Sequence, residues 1–144
     1  MKNKQTGVAL VEFALVLPLL LILTFIVTEY SRALYQYNTL TTSVRDAARY
    51  LSIQTPGDTT KYPIAKNLVV YGNPAGSGTP LAIGLTTAQV PNPDWKPEGA
   101  APVINTVTIK ISGYTFTPLV ASVFGLNFGN VTYAPISATM RAPS

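Results

Sequence analysis

A run of twenty residues from Val8 to Val27 is apolar almost throughout and constrains the fold more than any other feature. Its one charged residue is Glu12. At about 1.5 Å of rise per residue, a helix of this length spans about 30 Å, the thickness of a bilayer's hydrocarbon core. Between Val8 and Thr55 the chain has no glycine and a single proline, Pro18, so one helix can extend through the whole stretch. We therefore predict a membrane-spanning helix that continues beyond the membrane.

The chain changes character after Thr55. Residues 56–144 contain nine of the ten glycines and eleven of the twelve prolines, so this part must turn often. We predict an α+β fold in which a long N-terminal helix, transmembrane in its first half and amphipathic in its second, packs on a small antiparallel β-sheet. The predicted parts are a leader peptide at 1–7, the helix at 8–55 and a small extracytoplasmic domain at 56–144.

The second half of the helix has an apolar stripe with alternating spacings of four and three residues, which is typical of an amphipathic helix. The predicted stripe comprises Tyr30, Leu34, Tyr37, Thr41, Val44, Ala48 and Leu51. The predicted polar face comprises Arg32, Gln36, Thr39, Ser43 and Asp46. The stripe packs either on partner helices or on the chain's own C-terminal domain, and the small size of that domain favours the second.

In the C-terminal part, local patterns predict one helix and one strand. Ile64–Tyr71, followed by Gly72, predicts a short helix. Val107, Ile109 and Ile111 alternate with polar residues, which predicts a half-buried strand.

The prolines and glycines predict the connections. Val90–Pro102 is predicted to be a loop, and Trp95 in it is either an anchor buried against its own domain or an exposed adhesive aromatic. Pro118–Phe124, followed by Gly125, predicts a single helical turn. Val131–Arg141 predicts a last strand, in which a proline at position 135 requires an edge or a bulge.

Composition argues against a catalyst. The chain has no histidine and no cysteine, which excludes imidazole acid–base chemistry, thiol nucleophiles, thiolate zinc sites and disulfides. Only 11% of the residues are charged, and the carboxylates are too scattered for a paired acid–base site or a metal site. Basic and aromatic residues do not interleave into a nucleic-acid interface. We predict no cofactor, no metal and no nucleic-acid partner.

Three interpretations of the apolar segment remain open: a removable signal peptide, an uncleaved anchor, and a helix processed after Gly7. A carboxylate within a membrane span costs up to about 3 kcal/mol at the bilayer centre and usually has a partner. Cleavage between Gly7 and Val8 would create an α-amine one helical turn from Glu12, and this amine exists only after the cut. Pro18 is compatible with a helix kink that acts as a flexible point and equally with a proline that the membrane tolerates.

The segment Gly7-Val8-Ala9-Leu10-Val11-Glu12-Phe13 resembles the cleavage motif of type IV pilin-like precursors. Val11–Leu21, with its internal proline, resembles more narrowly the TadE-like minor pseudopilins of tight-adherence (Flp-type) pilus systems. Val44–Tyr50 and the ending Ala138–Arg141 fit the same family. The resemblance is dense from Gly7 to Tyr50 and thin through the middle of the chain.

The resemblance implies that a prepilin peptidase cleaves between Gly7 and Val8, and that Glu12 and Phe13 serve processing and assembly. It implies a non-enzymatic subunit that works with other pilin or pseudopilin subunits and the pilus assembly platform, and so contributes to surface attachment. Lys2 and Lys4 precede the span, which predicts a cytoplasmic N-terminus in a bacterial inner membrane, in contact with lipid, and a periplasmic C-terminal domain. The mature chain would stay there or join a surface pilus. The alternative is an uncleaved anchor that carries a binding or adhesion module on the loops around Trp95.

Overall fold

The computed structural model describes residues 4–142, which fall into two compact units. The first unit consists of the N-terminal helix up to Leu34 together with Thr117–Asn130, and the second consists of Tyr35–Phe116 together with the residues from Val131 onward. The first three residues of the predicted leader, including Lys2, lie outside the described residues.

A single helix, α1 (Lys4–Ser52), contains the predicted span and the predicted amphipathic segment. It is helical through Pro18 and ends three residues before Thr55, where the Ser52 hydroxyl donates to the carbonyl of Arg49 at 2.8 Å. The absence of glycine after Gly7 explains the length of the helix, because no later position in it has the backbone freedom that commonly ends a helix. The prediction of one long helix is confirmed.

The other elements are short. In chain order they are 3₁₀ turns at Thr59–Lys61 and Thr87–Gln89, helix α2 (Tyr62–Tyr71), and strands β1 (Asp94–Glu98), β2 (Ile104–Ile111), β3 (Thr115–Phe116), β4 (Ser122–Val123), β5 (Leu126–Asn127), β6 (Val131–Thr132) and β7 (Ile136–Arg141). All strand pairs are antiparallel: β2 lies between β1 and β7, β3 pairs with β6, and β4 pairs with β5. The predicted α+β fold, a long helix packed on a small antiparallel sheet, is confirmed.

The core of the second unit joins the end of α1 to the sheet. It is formed by apolar side chains that are almost fully buried: Leu40, Val44, Ala47, Ala48 and Leu51 from α1, Ala65, Val69 and Val70 from α2, Ala82, Leu85 and Val90 from the connection, and Val107, Ile109, Ile111, Tyr114 and Ile136 from the sheet region. The alternation predicted for β2 is confirmed, since its core-facing side chains are those at odd positions.

The buried face of α1 differs from the predicted stripe. Val44, Ala48 and Leu51 are buried as predicted, but toward the N-terminus the buried positions are Ser43 and Leu40, Gln36 is half-buried, and Tyr37 is 44% exposed. The predicted stripe repeats every 3.5 residues, whereas a straight α-helix repeats every 3.6, so the two drift apart by about 20° per heptad. Ser43 was placed on the polar face, yet it is buried with its hydroxyl donating to the carbonyl of Leu40 at 3.0 Å.

The predicted helix before Gly72 is confirmed as α2. It begins two residues earlier than predicted, with Pro63 in its first turn, where a missing N–H costs nothing. Gly72 caps it in the left-handed conformation (φ 70°), and its N–H donates to the carbonyl of Leu68.

The loop predicted around Trp95 is wrong, because Asp94–Glu98 forms strand β1. Pro97 argued against a strand, but β1 is an edge strand and an edge tolerates a residue that cannot donate on its outer side. Trp95 pairs with Val107 and packs partly buried against the core. The anchor interpretation of Trp95 is thus correct, on a strand and not on a loop.

The helical turn predicted at Pro118–Phe124 is also wrong. The chain forms a two-residue hairpin between β4 and β5, with Phe124 (φ 50°) and Gly125 (φ 84°) at its two central positions. Positive φ at both central positions defines a type I′ turn, whose twist suits a hairpin. Likewise, the last predicted strand is divided into β6 and β7, and Pro135 lies in the break between them.

Three tyrosine rings, those of Tyr37, Tyr114 and Tyr133, form a cluster in the second unit. The ring of Tyr114 is buried, and its hydroxyl lies 2.9 Å from Oε1 of Gln36 and 3.0 Å from the carbonyl oxygen of Ile83. The ring of Tyr133 lies 5.7 Å from that of Tyr114 and meets Tyr37 edge-on at 5.5 Å. Burial raises the pKa of Tyr114, and burial together with the Tyr114 charge raises the pKa of Tyr133.

This cluster predicts alkaline instability. Because the folded state holds these phenolic protons more tightly than the unfolded chain, its stability is fully present below about pH 10 and falls as the pH rises above that value. Tyr114→Phe is expected to lower the free energy of unfolding at neutral pH by about 1 kcal/mol, through loss of its hydrogen bonds, and to flatten the alkaline decline. Urea unfolding of a soluble fragment from Glu29 onward, at neutral pH and at about pH 11, measures both effects. Tyr35→Phe is the control, because Tyr35 is 74% exposed. If the stability of Tyr114→Phe fell with pH as steeply as that of the unchanged chain, this account would be contradicted.

Candidate processing and assembly site

The apolar half of α1 is uncovered. Val8 is 69% exposed, Phe13 58% and Leu15 74%, and the other large apolar side chains up to Val27 are similarly exposed or partly covered. Within the described residues this is the one helix long and apolar enough to cross a membrane, with a mean hydropathy of 2.8 in its best window and none of that window buried. A core helix of a soluble protein would be mostly buried, so this helix indicates a membrane anchor.

Polar side chains near the end of the span are satisfied by the helix itself. The hydroxyls of Thr24, Thr28 and Ser31 donate to the carbonyl oxygens four residues earlier, at 2.7–2.8 Å. A hydroxyl that bonds its own backbone needs no water, so these residues do not prevent the helix from lying in lipid.

The predicted cleavage residues and Glu12 lie on one face of the helix. Gly7, Val8, Val11, Glu12 and Leu15 line a shallow depression along it. Val8 and Glu12 are four residues apart, which brings their positions one above the other on the helix. A Cβ added at Gly7 would meet no atom within 4 Å, so the space beside this residue is open. The spacing inferred from the sequence is present in the structure, whereas the cleavage itself stays a prediction.

Phe13 and Pro18 lie elsewhere on the same uncovered helix. The Phe13 side chain is exposed and is free to contact lipid or another subunit. Pro18 has no N–H to offer the carbonyl of Ala14, so one hydrogen bond of the helix is missing at this point although the helix continues through it. The predicted kink at Pro18 stays a prediction.

Glu29 is a site residue that the sequence analysis missed. Its side chain is buried, at 7% exposure, and one oxygen accepts from Nη1 of Arg32 at 2.7 Å. Backbone N–H groups of Leu119 and Val120 also point to its carboxylate, at 3.4 and 3.3 Å. In the sequence, the spacing of Glu29 and Arg32 indicates only a local pair within the helix. Residues 111–140 contain no charged side chain that could mark a distant partner for Glu29.

The described residues hold no group of three or more histidine, cysteine, aspartate or glutamate side chains that could bind a metal ion. A surface pocket of about 450 Å³ in the second unit has Lys66 as its one charged lining residue, beside polar side chains such as Tyr62 and Asn67. Trp95 packs on the core and so does not form the exposed aromatic that an adhesive loop would need.

Taken together, the structure has an exposed apolar helix that is long enough to cross a membrane and that ends in the core of a small α+β unit, an arrangement that indicates a membrane anchor. Residues 7–49 match the family model described as TadE-like protein. The match begins at Gly7 and ends one residue before Tyr50, which confirms the resemblance over the segment where the sequence predicted it. Members of this family are structural components of Tad pilus systems, and the family is not an enzyme family. No curated protein and no solved structure matches the chain.

Proposed function

We propose that this chain is a non-enzymatic minor pseudopilin, cleaved between Gly7 and Val8 by a prepilin peptidase and active in assembly of a Tad-type pilus and in surface attachment. The observation that carries the proposal is the uncovered helix, which matches the TadE-like family from Gly7 onward and bears a carboxylate at Glu12. A helix with this much exposed apolar surface needs lipid before assembly and neighbouring helices after it.

Glu12 supports processing over permanent anchoring. After cleavage, the α-amine of Val8 on the same or a neighbouring subunit supplies the positive charge that a carboxylate in an apolar environment requires. An opposite-charge contact is stronger between helices than in water, although desolvation offsets part of the gain. The space beside Gly7 is open, so no other part of the described chain covers the proposed cleavage position.

The charges that flank the span support the proposed topology. Lys2, outside the described residues, and Lys4 precede it, which favours a cytoplasmic N-terminus and a second unit outside the inner membrane. Tyr30, 66% exposed three residues after Val27, suits the membrane–water interface where tyrosine is enriched. The proposed partners are the prepilin peptidase, other pilin or pseudopilin subunits, the assembly platform and membrane lipid.

The test is the intact mass of the full-length chain extracted from membranes of cells with and without an active prepilin peptidase. The expected result is a chain that begins at Val8 only where the peptidase is active. Gly7→Leu is expected to block the cut, whereas Ala14→Leu, further along the same helix, is the matched control and is expected to be processed. An unchanged N-terminus in cells with the active peptidase would support the uncleaved anchor and overturn the proposal.

A further inference from the structure

The segment Thr117–Asn130, which joins β3 to β6 and contains the hairpin β4–β5, has an unusual surface. It has no charged residue, and none occurs anywhere between Lys110 and Arg141. Three large apolar side chains on it are exposed: Leu119 at 70%, Phe124 at 64% and Leu126 at 49%. Charge-free, apolar and exposed surface on a short segment marks a contact with something other than water.

Phe124 is the least expected of the three. It occupies the first central position of the type I′ turn with φ 50°, a conformation that asparagine or glycine adopts readily and a bulky aromatic residue does not. Its side chain projects from the turn instead of packing beneath it, since it is largely exposed. The turn itself gains nothing from phenylalanine, so a contact made by the exposed ring is the better explanation for this residue.

Glu29 holds the segment beside the membrane end of the span. Its buried carboxylate accepts from the N–H groups of Leu119 and Val120, within the first unit. Glu29 lies two residues, or about 3 Å of helix, beyond the last residue of the apolar run, Val27. Ile22 and Phe25, on the same face as Glu29 and nearer the N-terminus, are only partly exposed, unlike their neighbours.

We propose that Thr117–Asn130 is a second membrane-contacting element, which inserts Phe124, Leu119 and Leu126 into the interfacial layer of the bilayer where α1 leaves it. The proposal rests on the proposed membrane span. Lipid is favoured as the occupant because the segment continues the apolar surface of that span and offers no charge for a protein partner to match. Aromatic and apolar side chains beside neutral polar ones suit this layer.

Site-directed spin labelling tests the proposal, and the natural chain has no cysteine to interfere. The full-length chain is reconstituted in vesicles of phosphatidylcholine and phosphatidylglycerol with a nitroxide on Phe124→Cys, Leu15→Cys or Ile83→Cys. Leu15, within the span, reports the bilayer, and Ile83, 69% exposed on the second unit, is the matched control for exposure. The readout is collision of the label with oxygen, which concentrates in lipid, relative to collision with a water-soluble nickel chelate.

The expected result is an oxygen-to-nickel ratio at Phe124 shifted from the Ile83 value toward the Leu15 value. A ratio equal to that of Ile83 would overturn the proposal, as would a label shielded from both reagents, which would show that protein covers the hairpin. An aqueous signal at Leu15 would instead refute the membrane span and with it the proposed function.

The role of Glu29 is tested in the same Phe124→Cys chain. Glu29→Ala removes both acceptor oxygens and is expected to move the Phe124 signal toward that of Ile83, whereas Glu29→Gln keeps one acceptor and is expected to retain more of the lipid signal. An unchanged signal in Glu29→Ala would refute Glu29 as the residue that positions the hairpin.

Discussion

Glu12→Leu is expected to enter the membrane and to be cleaved, yet to lose co-purification with pilus components and to abolish pilus display on cells that carry only this variant. If the chain is processed as proposed, the substitution leaves the Val8 amine without its counter-charge between apolar helices. Removing one partner of a fully buried pair costs about 3–5 kcal/mol, which is more than about a hundredfold in association. Quantitative co-purification and counting of pili on cells measure the effect.

Two control variants distinguish the loss of the Glu12 charge from the loss of a polar group on the helix. Thr24→Leu also removes a polar group from the exposed helix, but the Thr24 hydroxyl already bonds the carbonyl of Leu20, so normal assembly is expected. Glu12→Gln keeps the size and removes the charge, and is expected to fail as Glu12→Leu does. Normal pilus display by Glu12→Leu would reduce Glu12 to a tolerated polar residue near the bilayer surface.

Val44→Asp is expected to unfold, or nearly unfold, a soluble fragment that begins at Glu29. Val44 is fully buried in the core formed by α1, α2 and the sheet, and no residue around it in that core carries a charge. Burying an unpaired carboxylate there costs several kcal/mol, against a total stability of about 5–15 kcal/mol for a domain. Thermal and urea unfolding followed by circular dichroism measure the loss.

Two neighbours on the same helix serve as controls. Thr42→Asp, at an exposed position, is expected to change the unfolding midpoint little. Leu34→Asp distinguishes the observed buried face from the 3.5-residue stripe, which would have buried Leu34; at 47% exposure it is expected to be tolerated. A midpoint unchanged by Val44→Asp would show that this face of α1 is directed to a partner or to water.

The features that followed from the sequence are those in which local preference and tertiary packing agree. The glycine-free stretch before Thr55 predicted the long helix α1, and the alternation around Ile109 predicted strand β2. Gly72 predicted the end of α2, where it adopts the positive φ that caps the helix. The family resemblance around Gly7 and Glu12 was readable because it depends on the order of residues along one helix.

The features that were missed depend on partners distant in the chain. Pro97 favours a loop in the sequence, because a proline is compatible with a strand only at the edge of a sheet. That β1 is an edge strand, paired with β2 on one side only, is visible only in the structure. Phe124 and Gly125 read as a helix end, because a type I′ turn is recognised by asparagine or glycine and not by phenylalanine. Glu29 and the amides of Leu119 and Val120 are about ninety residues apart, and no local pattern signals such a contact.

The core of the second unit joins the beginning of its chain to the end, since Leu40 and Ile136 belong to the same cluster. Contacts so distant in sequence raise the contact order and the entropic cost of closing the chain, and therefore slow folding. The face of α1 from Leu40 to Leu51 therefore stays uncovered until β7 is in place. A chain that stops before Ile136 leaves this apolar helix face exposed, which is the kind of surface that chaperones and proteases recognise.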